Sequence, residues 1–386
     1  MKTTSIDDIL RRAADAGDVP GVVAMATTAK GLIYSGAFGR RWLPDGPPMT
    51  TDTIFWIASM TKAITSTAAM LLVEKGNLKL DSPIGMVLPE LAELQVLEGF
   101  SVDGEPNLRA ANRPVTLRHL LTHTSGFGYD IWNSELLRYR ETIGIPELLS
   151  CQNAALNMPL VFDPGARWEY GIGIDWAGKA IERVSGQLLQ SYFDENLFGP
   201  LEMKDTAFKL TAARRSHLAG MHVRQDNASL EQMTFELPQE PEFQMGGGGL
   251  YGTAADYLAF ERMFLHDGRG DGARILRPET AELMGQNHIG RSQVTMLKRS
   301  MPFSNDAEFF PEIVKKWGLA FMLNTRPVPD GRSANSLAWA GLANTYCWID
   351  PTKKVAGVIL TQILPFFDSK VVDLFDRFEK AIYASL

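Results

Sequence analysis

Along the chain the spacing of hydrophobic and polar positions changes period, and the change divides it into three stretches. Ile6 to Ala16 has helical spacing. Val19 to Thr28 is rich in Val, Ala and Met, and the short turn Ala29-Lys30-Gly31 leads into Leu32 to Phe38, which predicts a hairpin. At the other end, Trp317 to Leu323, Ser336 to Trp339, Thr345 to Ile349 and Val355 to Thr361 are short β-like runs parted by turn residues. A helix from Lys370 to Ala384 is predicted to close the chain. Between these ends Leu117 to Leu121, Pro146 to Leu156, Trp176 to Val184 and Leu188 to Leu197 have helical spacing, with polar or Pro/Gly breaks such as Val102 to Pro114.

Strands at both ends with helices in the middle predict an α/β (α+β) architecture: an antiparallel β-sheet flanked by helices, carrying an inserted, mostly helical subdomain. The expected division is 1–85 with 246–386 for the α/β domain and 86–245 for the insertion. A cleft between two such lobes is the natural place for a site. There is no internal repeat.

Composition narrows the function classes. A chain of 386 residues with 45% hydrophobic and 22% charged residues has an ordinary globular composition and room for a large core. Its net charge of -7 is spread without acidic or basic blocks, so neither nucleic acid nor an anionic membrane is an expected partner; a small molecule is. The two cysteines, Cys151 and Cys347, are expected to be free thiols. Asp7 and Asp8 stand where an export signal needs apolar residues, which points to a cytoplasmic protein. Ala63 to Val73 is interrupted by Thr65, Ser66 and Thr67 and is shorter than the roughly 20 residues of a membrane span, so it is expected to be a buried helix.

The chemistry centres on Ser59-Met60-Thr61-Lys62, directly before that helical stretch. Residues three apart on a helix share a face, so the polar ends of Ser59 and Lys62 can meet. Serine is a poor nucleophile until a base takes its proton, and an ammonium with an ordinary pKa of about 10.4 is no base at neutral pH. Burial among residues such as Phe55, Trp56 and Ile57 would lower it. A helix start also turns the Ser59 amide toward a developing oxyanion. The motif alone carries little, since about one Ser-x-x-Lys arises by chance in ~400 residues; its context carries more.

Trp56-Ile57-Ala58-Ser59-Met60-Thr61-Lys62-Ala63 resembles the first motif of class C β-lactamases, the related peptidases and the family VIII carboxylesterases. Val115-Thr116-Leu117-Arg118-His119-Leu120-Leu121-Thr122-His123-Thr124-Ser125-Gly126 resembles a second signature of that superfamily. Asp163-Pro164-Gly165-Ala166-Arg167-Trp168-Glu169-Tyr170-Gly171 resembles the segment that delivers its catalytic tyrosine. Leu97-Glu98-Gly99-Phe100, Tyr170-Gly171 and Phe378-Glu379-Lys380-Ala381-Ile382-Tyr383 are also similar to the fungal acyltransferase that attaches the side chain of statins. The resemblance runs from about residue 15 to the end and implies a β-lactamase/transpeptidase-like fold. It also implies a catalytic set of Ser59, Lys62 and Tyr170, oxyanion donors in the amides of Ser59 and Leu342, and a substrate-binding strand at Trp339-Ala340-Gly341. No cofactor or metal is implied.

Two departures from the lactamase pattern point to substrate. Trp339 replaces the cation that would hold a substrate carboxylate, and Ile172 replaces an asparagine two residues after the tyrosine. A site without those polar clamps favours neutral acyl groups. The expected activity is therefore that of a serine carboxylesterase on small neutral esters, with transfer of the acyl group to an alcohol as the alternative, and a weak β-lactamase or a non-catalytic penicillin-binding-like protein as further alternatives.

Other patterns carry less. His119 and His123 are one turn apart but lack the glutamate of a zinc peptidase helix, so a satisfied polar core pair is expected. Gly247-Gly248-Gly249-Leu250-Tyr251-Gly252 matches a dinucleotide fingerprint only in form. Close passage of backbone beneath the cleft, with Thr253 to Asp256 capping the next helix, fits it better.

Overall fold

The structure is a computed structural model and describes residues 5–386. Seven antiparallel strands form the main sheet, in the spatial order Gly31–Gly39, Gly21–Thr28, Val355–Leu360, Thr345–Asp350, Leu337–Gly341, Met322–Asn324 and Lys315–Trp317. The N-terminal hairpin thus completes a sheet whose other strands come from the last quarter of the chain. Val355–Leu360 lies third in that order and is buried throughout, which is why it is an unbroken apolar run and does not alternate.

Helices cover both faces. On Thr345–Asp350, Cys347 reaches Tyr257 of helix Ala254–Leu265, whereas its neighbour Trp348 packs on Phe375 and Phe378 of helix Ser369–Ala384. Successive strand residues point to opposite faces, so these two helices sandwich the sheet. The first helix, Ile6–Asp15, packs beside the last. Helix Thr61–Glu74 is buried on nearly every side, as its apolar run predicts, and lies against helix Gly173–Ser185. That second helix also meets the short helix Leu117–Leu121, whose Leu121 carbonyl accepts from Trp317 Nε1 of the edge strand.

Several sequence expectations are redrawn. Pro146 to Leu156 is two short 3-10 turns, Leu148–Ser150 and Asn153–Leu156, parted by Cys151 at φ +53°, a left-handed conformation that stops a helix. Leu188 to Leu197 becomes an α-helix, Leu189–Phe193, that widens into a π-turn over Asp194–Phe198. Within Trp317 to Leu323 the strand is interrupted, since Gly318 donates its amide to the Phe321 carbonyl in a tight turn. The polar stretch Val102 to Pro114 contains half of a hairpin, Gln95–Phe100 with Pro106–Ala110; Val96 and Leu97 are buried side by side and Pro106–Ala110 has no buried residue, so neither strand alternates. Both cysteines are free and buried. Among the described residues no helix is long and apolar enough to cross a membrane.

Candidate active site

Ser59 is held in a single 3-10 turn, Ala58–Met60, that runs into helix Thr61–Glu74. The residue before it, Ala58, has φ +44°, a conformation costing about 1–3 kcal/mol for a non-glycine residue, and such strain clusters at reactive positions. Strand Leu337–Gly341 passes directly alongside. A Cβ on Gly341 would lie 2.4 Å from the Ile57 carbonyl oxygen, so only glycine lets the strand approach the turn this closely.

Lys62 is fully buried and its ammonium has three partners: it donates to Ser59 Oγ at 3.1 Å, to the Tyr129 hydroxyl at 2.9 Å and to the Gly247 carbonyl. It also lies 4.8 Å from the centre of the Tyr170 ring and 5.1 Å from that of Tyr129. The Tyr170 hydroxyl lies against Ser59 and accepts a hydrogen bond from Trp339 Nε1 at 3.0 Å. Tyr170, distant in the chain, is therefore brought beside Ser59 and Lys62, which are three residues apart and hydrogen-bonded to each other.

The electrostatics follow from burial. Desolvation pulls Lys62 down to about 7, although the negative charge of Asp175 works the other way. Burial pushes Asp175 up, opposed by Lys62 and by the Gly247 amide, which donates to Asp175 Oδ1 at 2.7 Å. Asp175 and Lys62 thus grip opposite ends of the Gly247 residue. A Cβ there would fall 2.3 Å from the Asp175 carboxylate, so the glycine run does bring backbone close beneath the cleft, and Thr253 Oγ1 caps the following helix at Asp256 N. Burial drives both phenols, Tyr129 and Tyr170, above their ordinary pKa.

A narrow cavity with about 610 Å³ of empty space opens on Ser59. Its walls include Trp56, Leu148, Leu149, Met245, Phe303 and Leu342. The amide of Leu342 makes no hydrogen bond among the described residues and so is free to serve an anionic oxygen. Trp339, Gly341 and Ile172 stand elsewhere: Trp339 is 4% exposed and spends its indole N–H on Tyr170, Gly341 packs on Ile57, and Ile172 precedes helix Gly173–Ser185 beside a small separate cavity.

The two histidines are not one unit. His119 Nδ1 accepts from the Thr116 amide in a capping box. His123, at φ +56°, lies 4.7 Å from Tyr170 and 4.9 Å from Trp317, ring centre to ring centre, and its Nε2 has no partner among the described residues. Burial, and next the charge of Lys62, hold it well below the ordinary histidine range, hence neutral. Sequence reasoning missed Tyr129, Asp175 and the Gly247 carbonyl. Tyr129 follows the Ser125-Gly126 end of the second signature closely, and Asp175 stands five residues after Tyr170, but neither spacing by itself marks a contact with Lys62.

The antiparallel sheet with helices on both faces, and the buried helix that starts beside Ser59, define a protein of β-lactamase-like fold. The chain belongs to the Beta-lactamase family, whose profile matches residues 6–380. It is 32% identical to a lovastatin esterase of Penicillium rubens, covering 98% of each chain. It is also 32% identical to a monacolin J acid methylbutanoyltransferase of Aspergillus terreus, covering 98% of this chain and 95% of the relative. Among solved structures, a mutant of simvastatin synthase from Aspergillus terreus superposes with a TM-score of 0.84 at 31% identity, covering 98% of both chains. The family is thus one of serine hydrolases and acyltransferases, and the relatives named here are an esterase and an acyltransferase.

Proposed function

We propose that the chain is a serine carboxylesterase that cleaves small, neutral, short- to medium-chain esters through an acyl-Ser59 intermediate. The observation that carries this is the 3.1 Å contact between the Ser59 hydroxyl and an amine that burial brings down to about 7, at the mouth of an apolar cavity. Lys62, with Tyr170, takes the Ser59 proton as Oγ attacks the ester carbonyl. The amides of Ser59 and Leu342 receive the oxyanion, the alcohol leaves with the proton, and water then clears the acyl group. Among the described residues no lysine, arginine or histidine lines the Ser59 cavity, whereas Asp130 and Glu147 do, which supports a neutral acyl group over a carboxylate-bearing β-lactam.

Intact-mass analysis of the protein during turnover of a 4-nitrophenyl short-chain ester tests this. A mass gain of one acyl group, absent in Ser59→Ala, is expected; Ser59→Ala turning over at the parent rate would refute it. A second reading, transfer of the acyl group to an alcohol, is favoured by the transferase among the relatives. An alcohol added in competition with water distinguishes the two, because transfer yields a new ester and hydrolysis only the free acid.

A further inference from the structure

Leu148 and Ile172 take no part in the chemistry at Ser59, yet both belong to the space around it. The apolar cavity lined by Ser59 and Leu342 is walled in part by Tyr129, Asp130 and Leu148. The same three residues wall a second, smaller cavity with about 260 Å³ of empty space, and Ala155, Met158 and Ile172 are among its other walls. A single layer of side chains therefore parts the space in front of the nucleophile from an apolar space behind it.

The three members of that layer differ in how they are held. Tyr129 is buried and accepts from Lys62 at 2.9 Å, which ties it to the reacting groups. Asp130 meets Arg140 Nε at 2.8 Å, with 13% of the aspartate and 11% of the arginine side chain exposed. Arg140 also lines the smaller cavity, and the two charges compensate each other, so an uncharged group there meets a paired charge and not a bare one. Leu148 is the purely apolar member. It starts the 3-10 turn Leu148–Ser150 and is half-buried, and Arg140 holds the turn through Glu147 at 3.5 Å. Acylation puts this layer to use. With Ser59 Oγ bonded to the carbonyl carbon and the oxyanion on the Leu342 amide, the acyl chain extends into the cavity that those two residues line. A chain that outgrows it on this side meets a leucine, whose side chain turns aside by a change of rotamer, and behind the leucine lies further apolar surface.

We propose that Leu148 is the acyl-length stop of the Ser59 cavity, and that the space walled by Ala155, Met158 and Ile172 is a tail site for neutral acyl chains that pass it. Both roles rest on the acyl-Ser59 intermediate of the proposed function. The test compares kcat/KM for 4-nitrophenyl octanoate and 4-nitrophenyl butyrate in the parent chain and three variants. Leu148→Ala is expected to raise octanoate relative to butyrate by about tenfold, the scale of burying two further methylenes. Adding Ala155→Leu to that variant refills the second space from another wall and is expected to take the gain away. Phe303→Ala, on a wall of the Ser59 cavity that the second space does not share, is expected to leave the ratio within about twofold of the parent, less than the burial of one methylene. A ratio unmoved by Leu148→Ala, a gain that survives Ala155→Leu, or an equal gain from Phe303→Ala overturns the tail site, while an octanoyl mass adduct on Ser59 leaves the nucleophile standing. No adduct on Ser59 with either ester takes down the esterase reading and the tail site together.

Discussion

Two buried pairs of opposite charge sit in this molecule, and they resolve the same physical conflict in opposite ways. Behind the sheet, Arg332 is 1% exposed and grips Glu379 through Nε at 2.8 Å and through Nη2, while its own amide donates to the same carboxylate. Burial works against that guanidinium, but the charge and hydrogen bonds of Glu379 outweigh it, and the Arg332 pKa is pushed up. In the cleft, Lys62 and Asp175 are buried just as fully, yet the Gly247 residue stands between them and Asp175 Oδ2 has no partner among the described residues. There burial wins and the Lys62 pKa falls. Direct bidentate contact fixes a charge; a glycine interposed between the partners leaves the proton free to move.

The largest expected break in this contrast is kinetic. Lys62→Met removes the amine from Ser59, and kcat on a short-chain ester is expected to fall by about 10³-fold, within the range for one proton-transfer group. Its folded stability, measured by urea denaturation, is expected to fall less than in a directly paired site, since Asp175, already pushed up by burial, can take a proton once Lys62 is gone. Glu379→Gln should do the reverse. It leaves Arg332 charged without a counter-charge, at a cost of about 3–5 kcal/mol in the same denaturation series, with kcat per folded molecule unchanged. If Glu379→Gln lowered kcat as Lys62→Met does, the two pairs would not be separate devices.

Half of this contrast was legible in the sequence. Ser59 and Lys62 are three residues apart on a buried helix, so local geometry alone brings them together, and the sheet strands announce themselves by short apolar runs. The partners that tune Lys62 come from elsewhere: Tyr129 from a loop, Asp175 from the first turn of another helix, Gly247 from a glycine run shaped by the Asp175 carboxylate. No periodicity links such segments, because only tertiary packing sets their distances. The reverse also holds for Trp339. Its place in the strand is plain from its neighbours, but the strand pattern does not reveal that its indole points to Tyr170 and not into the Ser59 cavity.

A pH profile sharpens the comparison at the next level down. The groups around Lys62 are Ser59, Tyr129, Tyr170, His123 and, across Gly247, Asp175. His123 is held neutral and both phenols protonated, which leaves Asp175, among these groups, as the charge that acts on Lys62. In the parent chain kcat/KM is expected to rise with pH through about 7 as Lys62 loses its proton. Asp175 raises the Lys62 pKa, so Asp175→Asn must lower it further and move the acidic limb to lower pH, by about one unit for a nearby charge. The variant should then retain more of its maximal rate at pH 6 than the parent does. A limb that stays put, or moves up, would show that the carboxylate has no electrostatic hold on the lysine.

The smallest expected effect separates the two phenols. Tyr129 accepts from Lys62 at 2.9 Å but does not touch Ser59, whereas Tyr170 lies against Ser59 itself. Tyr129→Phe keeps the ring under the ammonium and removes one acceptor, and Lys62 retains Ser59 and Gly247. The loss of a single such hydrogen bond is worth about 1 kcal/mol, so kcat should fall about fivefold. Tyr170→Phe removes a group on the proton path and should cost at least tenfold more than that. Equal losses in the two variants would mean that the proton travels from Lys62 through Tyr129 as readily as through Tyr170.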